Sequence, residues 1–428
     1  MASIRERNGS YQITVSCGRD INGKKLRETT TFTPDPSLSA RKRKQAVERF
    51  ALEFEQKIEN GYSMDAHRMT LKEFSEKWIA EYAQQNLEGR TLESYQAELD
   101  ERILPALGHL KLADIHPSSI NSFLVSLSKD GARKDGKPGG LAKNTIKKTE
   151  AVLSSMLQTA TEWEILERNP CVNVRIRAED AAEKIQYFTP EQATLFMQYI
   201  EEPFKVKIKG HKRKDDTGKN YQVRDYEIEK QIPEQLKVLF ILAIFTGLRK
   251  GELLALQWAD VNFENAQIHV TKATSMVNGK QIIKKPKTKT STREVSIPEF
   301  LCRRMMALKT EQLRYRLSLG DYWIGEDWVF IQDDGRMMHY GTPGHAFHDA
   351  LVRYNEGKPE DHQLPLIPFH GLRHTSATIL IAAHQDIKTV QSRLGHADAT
   401  TTMNIYAHAL KENDRKASDA LENILRHA

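Results

Sequence analysis

The chain has 428 residues, enough for two to four domains with sizeable cores. Its 63 Lys+Arg against 57 Asp+Glu leave a net charge of +6, so contact with a polyanion has to come from local clusters rather than bulk charge. Cys17, Cys171 and Cys302 form no CxxC pair, no apolar run nears the ~20 residues that span a bilayer, and Met1–Arg7 lacks a signal-peptide core; a disulfide scaffold and a membrane protein are excluded in favour of reduced thiols in a cytoplasmic setting.

In chain order, Tyr11, Ile13, Val15 and Cys17 alternate as a strand does, Asn22-Gly23 turns the chain, and Leu26–Phe32 continues a small three-stranded sheet. After Pro34 and Pro36 a helix starts near Ser39, with Arg41–Lys44 in its first turns and Val47, Phe50, Ala51, Phe54 and Ile58 on one face. Residues 67–175 read as helical. Leu71, Phe74, Trp78 and Tyr82 form one stripe, Tyr95, Leu99, Ile103 and Leu104 another, and a long helix runs from Leu141 to about Trp163. Its lysines read first as a solvated face. Residues 176–185 are the predicted linker. Lys205–Gln231 reads as a basic insertion, a solvent-exposed loop or hairpin, since charge runs are usually solvated.

The chemistry-bearing residues follow. Thr246-Gly247-Leu248-Arg249 places an arginine after a turn glycine at the start of a helix, with Glu252 one turn on to orient it. Asn278-Gly279 within Met276–Ile282 predicts a β-hairpin. The run Lys284–Thr290 leads into a strand at Val295–Ile297, and a lysine at that edge can protonate a leaving oxygen. His370 and Arg373, three apart at a helix start, share a face. Leu394-Gly395-His396 and Asn404-Ile405-Tyr406 complete the set. A phosphodiester under attack carries extra negative charge on its non-bridging oxygens. Arginine meets that charge with a planar fork and stays protonated. Histidine, with a pKa near ~6.5, moves protons around neutrality, and tyrosine, at about 10, becomes a nucleophile only in a positive field or beside a base.

Each piece has a plainer reading. A single tyrosine near the end of a chain is usually packing or surface, and Leu-Gly-His is compatible with an ordinary helix C-cap. His370 and His374, spaced i and i+4, have the register of zinc ligands, but a glutamate is missing between them and Arg373 would sit beside the metal; the reading carries no metal. His374 and His408 are read as supporting groups. The joint occurrence, in order, outweighs the separate plain readings.

Taken together these motifs resemble the catalytic domain of the tyrosine recombinases, in particular phage-type and conjugative-transposon integrases, most strongly over residues 186–410. The resemblance implies that Arg249, Lys289, His370, Arg373, His396 and Tyr406 are catalytic, with Lys287 the alternative lysine, Glu252 supporting and Tyr406 the nucleophile that forms a 3′-phosphotyrosyl bond. It implies a multidomain fold, mainly α with small β-sheets: an arm-type DNA-binding domain (1–66), a helical core-binding domain (67–175), the linker (176–185) and an α+β catalytic domain with a C-terminal tail helix (186–428). Lys24, Lys25, Arg27, Lys143, Asn144, Lys147 and Lys148 are the implied DNA contacts. No cofactor is implied. The implied partners are double-stranded DNA at core and arm attachment sites, three further copies of the chain in a tetramer on DNA, and an excisionase or host DNA-bending protein, all in a bacterial cytoplasm at the nucleoid. Two other readings remain, a type IB topoisomerase and a catalytically silent DNA-binding protein; the arm-like first domain speaks against one and the complete residue set against the other.

Overall fold

The structure is a computed structural model that describes residues 2–19, 25–59, 65–174, 186–210, 212–214, 220–222, 224–284, 292–395 and 426. The chain divides into two compact units, Met1–Ala182 and Glu183–Ala428. Among the described residues no helix is long and apolar enough to cross a membrane.

The first unit opens with an antiparallel meander, β1 (Ser3–Arg7), β2 (Ser10–Arg19) and β3 (Lys25–Phe32), followed by α1 (Ala40–Glu59). Ile13 and Val15 are buried with Ala51 and Phe54, so α1 covers one sheet face. The register puts Arg5 opposite Gln12, Thr14 opposite Thr29 and Ser16 opposite Arg27, which makes the other face polar and cationic. Lys25 and Arg27 are exposed in β3, and Lys24 lies outside the described residues.

The helical part of this unit contains α2 (Asp65–Arg68), α3 (Leu71–Trp78), α4 (Gln84–Asn86), α5 (Gly89–Glu98), α6 (Leu104–Leu107), α7 (Pro117–Leu127) and α8 (Lys143–Glu162). The predicted stripes are its core: Leu71, Phe74, Trp78, Leu99 and Ile103 are fully buried. One π turn, Ile79–Ala83, joins α3 to α4, and another, Leu99–Ile103, joins α5 to α6. Inside this core Glu98 accepts from Arg102 at 2.7 Å, the Thr149 hydroxyl at 2.8 Å and Lys148 at 3.1 Å. Burial pushes this carboxyl up, but Thr149, Lys148 and Arg102 together hold it below its ordinary value.

The second unit is built around α10 (Glu234–Thr246), apolar on every side and buried from Val238 to Ile244. Against it pack α12 (Glu299–Leu319), α13 (Thr342–Asn355) and α14 (Gly371–Ala382), with α9 (Pro190–Tyr199) lying on α14. Phe196, Phe240 and Phe369 each meet Phe347 with ring centroids 5.2–6.0 Å apart. A three-stranded sheet lies at one side, ordered β12 (Arg293–Ser296), β9 (Gln267–Val270), β8 (Val261–Asn262). The Asn278-Gly279 hairpin forms as predicted, with β10 (Ala273–Val277) paired to β11 (Lys280–Lys284) and both turn residues at positive φ. The basic insertion is also a hairpin: β4 (Phe204–Ile208) pairs with β7 (Tyr226–Lys230), and beyond them β5 (Lys212–Lys214) pairs with β6 (Asn220–Gln222).

Candidate active site

Residues far apart in sequence meet where α10 ends. The helix stops at Gly247, whose φ of +65° is the left-handed cap that releases the chain. Arg249 then caps the short helix α11 (Lys250–Leu254). Glu252, one turn into it, accepts from the Arg249 backbone N–H at 2.8 Å and from its Nη1 at 2.9 Å. The other Arg249 nitrogen, Nη2, donates to the Gly395 carbonyl at 3.0 Å. The Arg249 side chain is 41% exposed and Glu252 only 6%, so a buried carboxylate holds an arginine that still faces solvent.

Arg373 is placed differently. It sits in the first turn of α14, 2% exposed, with Nη1 donating to the Gly247 carbonyl at 2.7 Å. One backbone turn thus carries both arginines, Arg249 by sequence and Arg373 by hydrogen bond. His370 caps α14 and reaches the surface, but protein crowds its ring. Burial, then Arg373 and Arg249, push its pKa below the ordinary value, and Glu252 opposes them. His374 meets the His370 ring edge-on at 4.9 Å, and burial followed by the His370 and Arg373 charges takes it down to about 4. Both imidazoles are therefore largely neutral at pH 7.

Of the sequence-predicted set, the structure brings Arg249, Glu252, His370 and Arg373 together. Lys287, Lys289, His396 and Tyr406 lie outside the described residues. The described chain nevertheless runs to Gly395, one residue short of His396, at the end of α15 (Ile387–Leu394). Gly395 has φ +68°, and a Cβ there would stand 2.7 Å from Arg293 Nη1. In the helical part, Asn144 and Lys147 are exposed on α8, Lys143 is half-buried, and Lys148 is engaged by Glu98.

The residue that sequence reasoning misses is Arg293. It opens β12 and makes a two-pronged contact with Glu252, Nη1 to Oε1 at 3.2 Å and Nη2 to Oε2 at 2.9 Å, while its Nε donates to the Arg393 carbonyl at 2.8 Å. A signal was present: Val295 is the buried residue of this strand, and Arg293, two positions earlier, points the same way. Arg393 itself ties α15 to the sheet and to α10, donating to the Ser296 and Phe245 carbonyls at 2.9 and 2.8 Å.

Residues 214–413 match the phage integrase family, and residues 70–128 match the N-terminal SAM-like domain of phage integrases. The chain is 26% identical, over 97% of its length and 96% of the relative's, to a XerC-like tyrosine recombinase of Caldanaerobacter subterraneus. It is 27% identical to the ICEBs1 integrase of Bacillus subtilis, over 98% of both chains. Among solved structures it shares the fold of the Tn1549 transposon integrase in complex with transposon right end DNA, with a TM-score of 0.64 and 20% identity over 83% of this chain and all of that one. A lambda integrase tetramer bound to a Holliday junction has a TM-score of 0.50 at 18% identity, covering 93% of this chain and 96% of that one.

Proposed function

Because the chain belongs to the phage integrase family of tyrosine recombinases, we propose that it is a site-specific DNA recombinase that integrates and excises a mobile element with Tyr406 as nucleophile. The Tyr406 oxygen attacks a DNA phosphorus, the bond to the 5′ oxygen breaks, and a 3′-phosphotyrosyl link and a 5′-hydroxyl result. A 5′-hydroxyl from the partner strand reverses the step. The ester bond is conserved throughout, so the exchange needs no nucleotide.

Arg249 and Arg373 hold the phosphate and its developing charge. His370, neutral at pH 7, accepts the tyrosine proton or hydrogen-bonds a phosphoryl oxygen; His396 is a second donor. Lys289, with Lys287 the alternative, protonates the leaving 5′ oxygen. Residues 67–175 bind DNA at the core site and residues 186–428 carry the cleavage chemistry, with 176–185 as the linker. Residues 1–66 bind arm sites through the polar sheet face that bears Arg5 and Arg27, with Lys24 and Lys25 as further contacts. Lys143, Asn144 and Lys147 meet phosphates along α8, and Lys148 joins them at the rim of Glu98. Four protomers act on a Holliday junction in the cytoplasm, with an excisionase or a host DNA-bending protein setting direction.

The observation that carries this reading is the hold on Arg249. A solvent-facing guanidinium is gripped by a buried carboxylate and by the carbonyl of Gly395, which stands one residue before His396 and eleven before Tyr406 in the chain. The test incubates wild-type and Tyr406→Phe protein, in EDTA, with nicked duplexes built from the sequences flanking its gene. A denaturant-resistant adduct from the wild type alone is expected; adducts from both proteins would place the nucleophile elsewhere.

A further inference from the structure

Glu252 presents an electrostatic difficulty for the proposed site. A carboxylate bound to Arg249 cancels the charge with which that arginine would meet a phosphate. The structure holds the answer in Arg293, whose side chain is 6% exposed and whose fork covers both Glu252 oxygens. The cluster of Arg249, Glu252 and Arg293 carries two positive charges and one negative, and the exposed member is Arg249. Arg293 does more than neutralise. Its Nε holds the Arg393 carbonyl, two residues before the Gly395 carbonyl that receives Arg249, and its own backbone begins β12, four residues after Lys289. One buried side chain thus joins α11, the strand that follows the lysine segment, and the end of α15.

We propose that Arg293 is a positioning residue for DNA cleavage, neutralising Glu252 so that the charge of Arg249 is left for the phosphate, and fixing the end of α15 from which His396 follows. The proposal rests on the recombinase reading above. It does not require Arg293 to touch DNA.

The test uses the full chain in single-turnover adduct formation on the nicked duplex, comparing wild type, Arg293→Gln, Arg293→Lys, Glu252→Gln and the Arg293→Gln/Glu252→Gln double variant. Each is also run on a duplex with a methylphosphonate, one charge fewer, at the scissile position. On ordinary DNA Arg293→Gln is expected to cleave about 10²-fold more slowly, the scale of losing one well-placed charge-stabilising group. Affinity for uncleaved DNA, measured in the Tyr406→Phe background, should change by less than about 3-fold, because no contact with DNA is lost. Adding Glu252→Gln should recover part of the rate, because the carboxylate that captures Arg249 is gone. The methylphosphonate should shrink the Arg293→Gln deficit to less than about 10-fold by lowering the demand for charge. Arg293→Lys, which keeps the charge and loses the fork, should fall between wild type and Arg293→Gln.

Multiplying losses in the double variant, or equal deficits on both duplexes, would overturn the proposal and leave Arg293 a packing residue. An adduct that survives Tyr406→Phe overturns the choice of nucleophile, while the rates still judge Arg293. If wild type makes no adduct while Tyr406→Phe binds the duplex, both the reading and the proposal fall.

Discussion

Gly247 is one of the site's tight points, and replacing it with alanine tests whether packing there controls both stability and chemistry. The residue has φ +65°, and a Cβ at this position would lie 2.4 Å from Leu394 Cδ2. The left-handed conformation alone costs an alanine about 1–2 kcal/mol. Leu394 is fully buried beside Ala377, Ile381 and Val390, so it yields only by disturbing its neighbours, and overpacking of this kind costs about 1–3 kcal/mol. The sum is about 2–5 kcal/mol, or a fall of about 4–20 °C in the melting temperature of a unit this size. Gly279→Ala is the internal control: it lies in the same unit at φ +71° with nothing within 4 Å of its added Cβ, and should lose only the backbone term. Calorimetry on the full chain, following the transition that both substitutions move, measures the difference. A second check is the double variant Gly247→Ala/Leu394→Ala, where the new methyl occupies part of the space Leu394 leaves, so the losses should sum to less than additive by at least about 0.5 kcal/mol. Because Leu394 immediately precedes the carbonyl that holds Arg249, Gly247→Ala should also slow adduct formation at temperatures where the protein is folded. Equal losses for Gly247→Ala and Gly279→Ala, or additivity with Leu394→Ala, would refute the packing argument.

Other consequences follow from single groups. His374, taken from its ordinary value to about 4, binds its proton less readily folded than unfolded, so it contributes stability that is full above about pH 6.5 and lost as the pH falls towards 4. His374→Gln should therefore lose less stability than wild type between pH 7 and pH 4.5, by on the order of 2 kcal/mol, in denaturant titrations. Glu98→Gln removes the charge and one of the two acceptor oxygens that serve three donors inside the helical core and should cost about 1–3 kcal/mol by thermal unfolding, with Thr149→Val costing less. Arg27→Ala, on the polar sheet face, should lower the slope of log Kobs against log salt by about 1 for arm-site DNA and leave cleavage of a core-only duplex unchanged.

What the sequence discloses is what short-range geometry determines. Asn278-Gly279 between alternating residues predicts its hairpin because the turn conformation depends on those two residues. His370 and Arg373 share one helical turn for the same reason, and the stripe Leu71, Phe74, Trp78 predicts a buried face that the structure contains. The π turns are hidden. Each adds one residue to a helical turn and moves the apolar face round, and no residue type marks where that happens. The site's cohesion is hidden for a different reason. Arg249 and Gly395 are 146 residues apart, Glu252 and Arg293 are 41 apart, and a carbonyl as acceptor has no signature in a sequence. Helices α9, α12 and α13 and strands β8 and β9 form without a specific prediction, their positions being set by packing around α10 and the sheet.

The distribution of burial explains why a sequence of well-formed motifs can still leave its decisive residue unnoticed. A phosphate-binding arginine must be open to its ligand, and Arg249 is; the groups that keep it charged and aimed must be closed to water, since a screened contact would hold it weakly. Glu252 and Arg293 are accordingly buried, and each alone would be costly there. Together they form a nearly neutral pair, which leaves the charge of Arg249 as the one that faces out. A motif reading finds the open residue and its carboxylate, because they lie one helical turn apart, and passes over Arg293, the buried cation that balances that carboxylate, because an arginine at a strand start is ordinary. The same logic extends to Glu98, where Arg102, Lys148 and Thr149 surround a buried carboxylate. There the exposed member is the ammonium of Lys148 rather than a guanidinium at a helix cap, and the carboxylate lies in the helical core.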